Sequence, residues 1–305
     1  MTDVQAGLTS LLKELKLRNQ LPKNMDVSKV GDRYWFVCHD EDKSKIISEN
    51  STTGFADDGN IALLKALSER VERLAFRGGY ENKITSCMTE RSDGFAAYPL
   101  FYQNAESKAR ESALAEAVER YVWAKWWDDE TIAFKLESIR DSANEHKISP
   151  YVATVKDQCR MEEIFVIEPK IENSNGLSVV ILFGRLRSGG FISGGACGSI
   201  DDSKQSLLRS LDELYRHGLA VEKIRLENIV PVTFYEKRLA YFGLAHGNHL
   251  IRKRLEAKGS ESIILPKLEI DEVVKHELHD LFHVHRCYFE NQPPFIGGAL
   301  ERLCL

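Results

Sequence analysis

The sequence has little that would staple, anchor or tether it. Its six cysteines, Cys38, Cys87, Cys159, Cys197, Cys287 and Cys304, are scattered without a C-x-x-C pair, so neither a zinc knuckle nor a dithiol redox motif is written in it. In a chain of 305 residues they are expected to be reduced, several of them in the core. No apolar run is long enough to span a bilayer. Met1-Thr-Asp-Val-Gln-Ala-Gly-Leu8 lacks a basic start followed by an apolar stretch, so no signal peptide is expected. Basic residues number 41 against 46 acidic, for a net charge of −5, and no basic stripe interleaves with aromatics. Nucleic acid is therefore not the expected partner, and neither is a membrane. The expected location is the cytoplasm. No long Ser/Gly/Pro linker and no low-complexity segment divides the chain. What is present is an ordinary globular composition, 43% hydrophobic and 29% charged. Its length suits one large domain or two intimate ones. The reading is a single α+β domain over 1–305. Residues 1–50 give an N-terminal helix and strand, 51–225 a motif-bearing core, and 226–305 a C-terminal α/β part.

Apolar spacing at Leu8, Leu11, Leu12 and Leu15 predicts a first amphipathic helix over Val4–Asn19. Arg33–Cys38 is aromatic and β-branched and predicts a strand. Ser51–Gly59 reads as a turn-rich loop, followed by a helix from about Asn60 to Phe76 that stops at Gly78-Gly79. A short strand is expected over Ile84–Met88. Ser92–Ala97 reads as a Gly-centred loop extending through Pro99, and a helix follows from about Ala105 to Trp127. Pro150 marks a turn. Glu163–Glu168 and Leu177–Phe183 read as buried strands. Phe191–Gly198 reads as a strand running into a Gly-rich loop. Asp201-Asp-Ser203 is expected to cap a helix reaching Arg225. Beyond it, helices are expected over Tyr235–Leu244, Leu250–Lys258 and Ile270–Leu281, with strands near Ile263 and over Val284–Phe289.

One stretch repeats. Ala62-Leu-Leu-Lys-Ala-Leu-Ser-Glu-Arg-Val-Glu-Arg73 aligned with Ala109-Arg-Glu-Ser-Ala-Leu-Ala-Glu-Ala-Val-Glu-Arg120 shares Ala, Ala, Leu, Glu, Val, Glu and Arg. Each copy follows a Gly-Phe-Ala segment. Ser206–Arg216 keeps the small residue at Ser210, Leu211 and Glu213, and follows Gly194-Gly-Ala-Cys-Gly198. Strand, Gly-rich loop and Ala/Glu-rich helix thus recur three times. The irregular spacing excludes a solenoid and suits a compact domain whose equivalent helices converge on a shared centre. Carboxylates at i and i+3 on a helix with small neighbours can hold divalent cations, or can simply be solvated. Arg73 and Arg120 can clamp phosphate or pair with Glu69 and Glu116. Ser112 can back-bond a carbonyl, and Asn104 can be a helix N-cap. Trp123, Trp126 and Trp127 are expected in the core or an interface. His276, His279, His283 and His285 do not have the H-E-x-x-H spacing, and a structural or surface role is expected for them.

In this order and with these loops, the motifs resemble the YcaO-domain family. The resemblance is carried by Lys65/Glu69/Glu72-Arg73, by Ser92-Asp-Gly-Phe-Ala-Ala97 with Glu116/Glu119-Arg120, and by Arg209-Ser-Leu-Asp-Glu213, over roughly Gly54–Arg225. It implies mixed sheets whose strand–Gly loop–helix units meet at a central nucleotide site. It also implies ATP and Mg²⁺ as cofactors, with Glu69, Glu72, Glu116 and Glu119 as metal ligands. Nucleotide contacts would come from Lys65, Arg73, Asn104, Lys108, Ser112, Arg120, Arg209 and Glu213; no catalytic residue is assigned. The activity implied is phosphorylation of a peptide backbone amide oxygen, leading to cyclodehydration, thioamidation or amidine formation in ribosomal-peptide modification. The partners implied are a precursor peptide, a protein for leader recognition or sulfur delivery, and further subunits in a homo-oligomer or complex. Three positions depart from the family pattern. Lys65 stands where a Ser is usual, Lys108 where a metal-binding Glu is common, and Arg216 where Gln is frequent. The two lysines motivate an alternative, a catalytically degenerate binding or scaffold subunit of a peptide-modifying complex. Pro293-Pro294 is only a faint echo of the proline-rich tail of azoline-forming members.

Overall fold

The computed structural model describes residues 3–39, 51–80, 92–295 and 299–303. The strand expected over Ile84–Met88, together with Cys87 and Cys304, lies outside them. Two compact units emerge. The first comprises Met1–Ile84, Phe95–Leu114 and Ile270–Cys287, the second Thr85–Gly94, Ala115–Glu269 and Tyr288–Leu305.

In the first unit, helix α1 (Asp3–Leu17) buries Leu8, Leu11 and Leu15, one face at helical spacing. Strands β1 (Asn24–Val30) and β2 (Arg33–His39) form an antiparallel hairpin, with Gly31 at φ +59° in its turn. Strand β3 (Thr52–Ala56) adds antiparallel to β2, giving the order β1-β2-β3. Helix α2 (Gly59–Tyr80) packs over β2 and β3. The Asp58 carboxylate starts it by accepting from the Asn60 and Ile61 N–H groups. Ala62, Leu64, Ala66, Leu67, Val71 and Ala75 line its buried face. The expected stop at Gly78-Gly79 does not occur, because the helix runs on to Tyr80. A helical Gly costs only about 1 kcal/mol against Ala, which by itself does not end the helix. A second sheet, in the order β11-β12-β4, joins β4 (Gly94–Pro99), β11 (Leu268–Val273) and β12 (Phe282–Phe289). The helix expected over Ile270–Leu281 is therefore strand β11 and a turn. Its β-branched residues Ile270, Val273 and Val274 favour an extended chain, and the Val274 N–H donates to the Val284 carbonyl across the pair.

Helix α3 (Ala105–Asp128) contributes residues 105–114 to the first unit and 115–128 to the second. In the second unit, an antiparallel sheet runs β5 (Phe134–Ser138), β6 (Met161–Pro169), β8 (Leu177–Leu186), β9 (Phe191–Ser199). Two short strands, β7 (Ile171–Glu172) and β10 (Ile263–Ile264), pair in parallel. The helices are α4 (Ile139–Glu145), α5 (Ser149–Gln158), α6 (Ser203–Glu227), α7 (Phe234–Gly243) and α8 (Asn248–Glu256). Pro150 thus sits in the first turn of α5, where its missing N–H costs nothing. Helix α6 lies on β8 and β9. Asp202 makes no capping bond to it; instead Ser199 accepts from the Asp201 N–H and caps a short 3₁₀ turn, Ile200–Asp202. Trp123 and Trp126 are fully buried, and Trp126 packs against Phe134 and Phe183. Truncating such a tryptophan to alanine costs about 3–5 kcal/mol. The buried Arg254 guanidinium stacks 4.3 Å from the Trp126 ring and donates to the Trp126 carbonyl.

The two segments expected as loops before the first two helices carry strands β3 and β4, and the strand expected from Phe191 runs on through its glycines as β9. Their glycines serve close packing. A Cβ on Gly54 would overlap the Ala62 carbonyl oxygen and lie 2.6 Å from the Ala66 nitrogen. One on Gly194 would lie 2.5 Å from both the Ser210 oxygen and the Leu214 nitrogen. Glycine here lets a helix backbone lie directly on a strand.

Candidate functional site

Among the described residues each of these strands is the last of its sheet, with one edge turned away from the ladder. Charged side chains from the repeated helices meet those edges. In the first unit, the Glu69 carboxylate accepts from the Thr53 N–H at 2.6 Å, and the Lys65 ammonium donates to the Phe55 carbonyl at 2.9 Å. One turn separates the two side chains on α2, and their targets lie two residues apart on β3. The second unit repeats the device on α6 and β9. Glu213 accepts from the Gly195 N–H at 3.0 Å, and Arg209 donates to the Cys197 carbonyl at 3.1 Å. The second glutamate of each Glu-x-x-Glu pair reaches a further strand. Glu72 accepts from the Ala97 N–H on β4 at 2.8 Å, and Glu119 from the Cys197 N–H on β9 at 3.2 Å.

Of the arginines expected at the nucleotide, Arg73 and Arg120 pair within their own helices, as does Arg216, while Arg209 reaches the strand. Arg73 meets Glu69 at 2.5 Å, Arg120 meets Glu116 at 2.5 Å, and Arg216 meets Glu213 at 3.0 Å. Arg120 also donates to the Asp93 carbonyl. The Ser112 hydroxyl lies 3.2 Å from that of Tyr98, and the Lys108 ammonium sits 5.7 Å from the Tyr102 ring centroid. Asn104 is exposed, left-handed at φ +57°, and its carbonyl accepts from the Lys108 N–H at the start of α3. Of the residues expected at the site, the first unit therefore brings Lys65, Glu69, Glu72 and Arg73 against β3 and β4. The second brings Glu116, Glu119, Arg120, Arg209 and Glu213 around β9.

The second cluster carries charge it cannot easily hold. Burial drives the Glu119 carboxyl up to about 8, with the neighbouring Glu213 and Glu116 carboxylates adding to the rise against Arg209 and Arg120. Glu213 is raised in the same direction, chiefly by burial and against the pull of Arg216 and the Gly195 N–H. The Glu116, Glu119 and Glu213 carboxylates thus act on one another with only part of their charge offset by the arginines. In the first cluster one oxygen of Glu69 is held by Thr53 and the other by Arg73, so its charge is already met.

A different group gathers in the first unit. Asp271 on β11 and His285 and Cys287 on β12 place their ligand atoms within 4.8 Å of one another, the one such trio of His, Cys, Asp or Glu among the described residues. The histidine run does not lie on a helix. His276 is bonded to the Phe282 carbonyl region at 3.3 Å, while His285 faces Asp271 at 2.7 Å. The sequence signal for this trio was the His-x-Cys alternation in a strand, which puts residues 285 and 287 on one face.

No family model matches the chain, and no curated protein matches it. Among solved structures it is similar to the YcaO from Methanopyrus kandleri bound with AMPPCP and Mg²⁺, at 15% identity and a TM-score of 0.58, over 95% of this chain and 92% of that one. No described helix is long and apolar enough to cross a membrane. The protein has a YcaO-like α+β fold.

Proposed function

We propose that the protein activates a backbone amide of a peptide by ATP- and Mg²⁺-dependent O-phosphorylation, in the cytoplasm, during modification of a ribosomally made precursor. The observation that carries this reading is the gathering of Glu116, Glu119 and Glu213 with Arg120 and Arg209 around β9. The likeness to a fold neighbour bound with AMPPCP and Mg²⁺ supports it. In the reaction, the amide oxygen gains a phosphoryl group and so becomes a good leaving group. A nucleophile then displaces phosphate, leaving an azoline, thioamide or amidine. Bound Mg²⁺ would supply neutralisation of charge on the transferring phosphoryl group. Glu116 and Glu119 would hold it, with Glu213 as a neighbouring nucleotide contact. Arg73, Arg120, Arg209, Lys65, Lys108, Ser112 and Asn104 are the proposed nucleotide contacts. A precursor peptide, a partner for leader recognition or sulfur delivery, and assembly into an oligomer or complex belong to the same proposal.

Calorimetry with ATP and Mg²⁺, with and without peptide, tests it. Binding that needs Mg²⁺ is expected, and Glu116→Gln should lose ATP hydrolysis while keeping its fold. A Glu116→Gln protein that hydrolyses ATP as well as the parent refutes the metal assignment. A second reading, a scaffold subunit without catalysis, is favoured by the first unit. There Lys65 is directed at the Phe55 carbonyl and both oxygens of Glu69 are engaged within the fold. Absence of ATP binding under every condition would decide for it.

A further inference from the structure

We propose that Asp271, His285 and Cys287 form a binding site for one borderline-soft dication of the zinc kind, separate from any nucleotide chemistry. The exposed Arg110 would act as its counter-charge in the metal-free protein. The three residues bring one carboxylate, one imidazole and one sulfur. This set fits Zn²⁺ and its neighbours and not Mg²⁺, which prefers oxygen alone. Cys287 Sγ lies 3.8 Å from Asp271 Oδ1, and His285 Nε2 lies 2.7 Å from the same oxygen. Ligands about 2.0–2.3 Å from a tetrahedral zinc stand roughly 3.3–3.6 Å apart. The sulfur is thus nearly in place, and the imidazole must back away by about half an ångström as its hydrogen bond is exchanged for a metal bond.

Burial and access are divided in a useful way. Cys287 and His285 are buried on adjacent same-face positions of β12, while the Asp271 side chain is 30% exposed. An ion could enter past the carboxylate, with water in the fourth position. Arg110 now donates three hydrogen bonds to that carboxylate, at 3.0, 3.1 and 2.6 Å, from a side chain that is 52% exposed. It can swing into solvent without unpacking the core, and its charge competes directly with a dication. Burial and the Asp271 carboxylate push the Cys287 thiol up to about 12. A metal bound to the sulfur reverses both influences, because thiolate is the ligand form.

Titration of the full chain with Co²⁺, after chelator treatment, tests the site. The expected result is one equivalent bound with a near-ultraviolet thiolate-to-cobalt band and four-coordinate visible bands, both displaced by Zn²⁺. Cobalt at a carboxylate-only site would lack the sulfur band, so the outcome does not depend on the nucleotide proposal. Cys287→Ser should abolish the band. Arg110→Ala, a surface change that leaves all three ligands, should tighten Co²⁺ binding by roughly tenfold, as a charge-assisted competitor is removed. A titration without a sulfur band, a band that survives Cys287→Ser, or an Arg110→Ala affinity no tighter than the parent's overturns the proposal. Should Cys287→Ser fail to fold by circular dichroism, the Arg110→Ala comparison decides alone.

Discussion

Replacing Glu119 by Gln should make the protein more stable above neutral pH, although it alters a buried, hydrogen-bonded side chain. Glu119 is 9% exposed and its carboxyl is raised from 4.5 to about 8. A carboxyl raised by folding takes up a proton as the chain folds. Its contribution is therefore fully present below pH 4.5, shrinks as pH rises, and is gone above about 8. Over that window the parent should lose stability on the order of 4–5 kcal/mol if nothing relaxes; water entry and side-chain movement reduce the measured value to a few. Gln carries no charge, so it neither pays that cost nor repels Glu116 and Glu213. Its amide oxygen can still accept from the Cys197 N–H, and its amide hydrogens can donate to the neighbouring carboxylates. Urea denaturation of parent and Glu119→Gln, in chelator, at pH 5 and pH 8.5 measures the difference. Near-equality at pH 5 and a higher midpoint for the variant at pH 8.5 are expected. Parallel pH dependences for the two proteins refute the reasoning, since they would mean that Glu119 keeps its charge without penalty.

Three other outcomes follow from single contacts. Lys65→Met should lower stability by about 1–2 kcal/mol through loss of its bond to the Phe55 carbonyl; unchanged stability with weakened ATP affinity would show that this lysine serves the nucleotide and not the strand edge. Gly54→Ala should cost about 3 kcal/mol or more by overpacking, because the new methyl meets the α2 backbone; a thermal melt within a degree of the parent's would contradict the packing. Tyr151→Phe should cost about 1–3 kcal/mol, because the buried Asp212 loses the phenol that donates to it at 2.7 Å; a neutral urea midpoint would show another donor in its place.

The helices were legible because their residues announce them. Leu8, Leu11 and Leu15 share a face, and the Ala/Glu-rich stretches contain no breaker before Gly78. Strands β6 and β8 were legible from unbroken apolar runs. The Gly-containing strands β3 and β4 were not, and β9 was legible only up to its glycines. Gly54, Gly94 and Gly194 look like turn residues, and what selects glycine at 54 and 194 is a helix backbone distant in sequence. The misread Ile270–Leu281 has the same cause. Its charged pattern, with Asp271 and Glu272, passes for a helix surface until the Arg110 and His285 partners are seen. Candidate site residues were found by repetition, which marks equivalent positions without saying what each side chain touches.

That gap bears on the oldest ambiguity of a Glu-x-x-Glu helix, whether its carboxylates hold the fold or a cation. The contacts here make the two roles sequential rather than exclusive. An edge N–H that grips one oxygen, as Cys197 grips Glu119 and Gly195 grips Glu213, fixes the carboxylate's position and removes its freedom to turn away from its neighbours. Left in water, like charges would separate and the repulsion would vanish; pinned to a strand, they cannot. Burial is the main cause of the raised Glu119 and Glu213, and the neighbouring like charges add to it. Glu69 shows the contrasting case, a carboxylate pinned in the same manner but answered by Arg73. The strand edge therefore acts on both clusters alike, and burial together with the balance of neighbouring charge decides which carboxylates are raised.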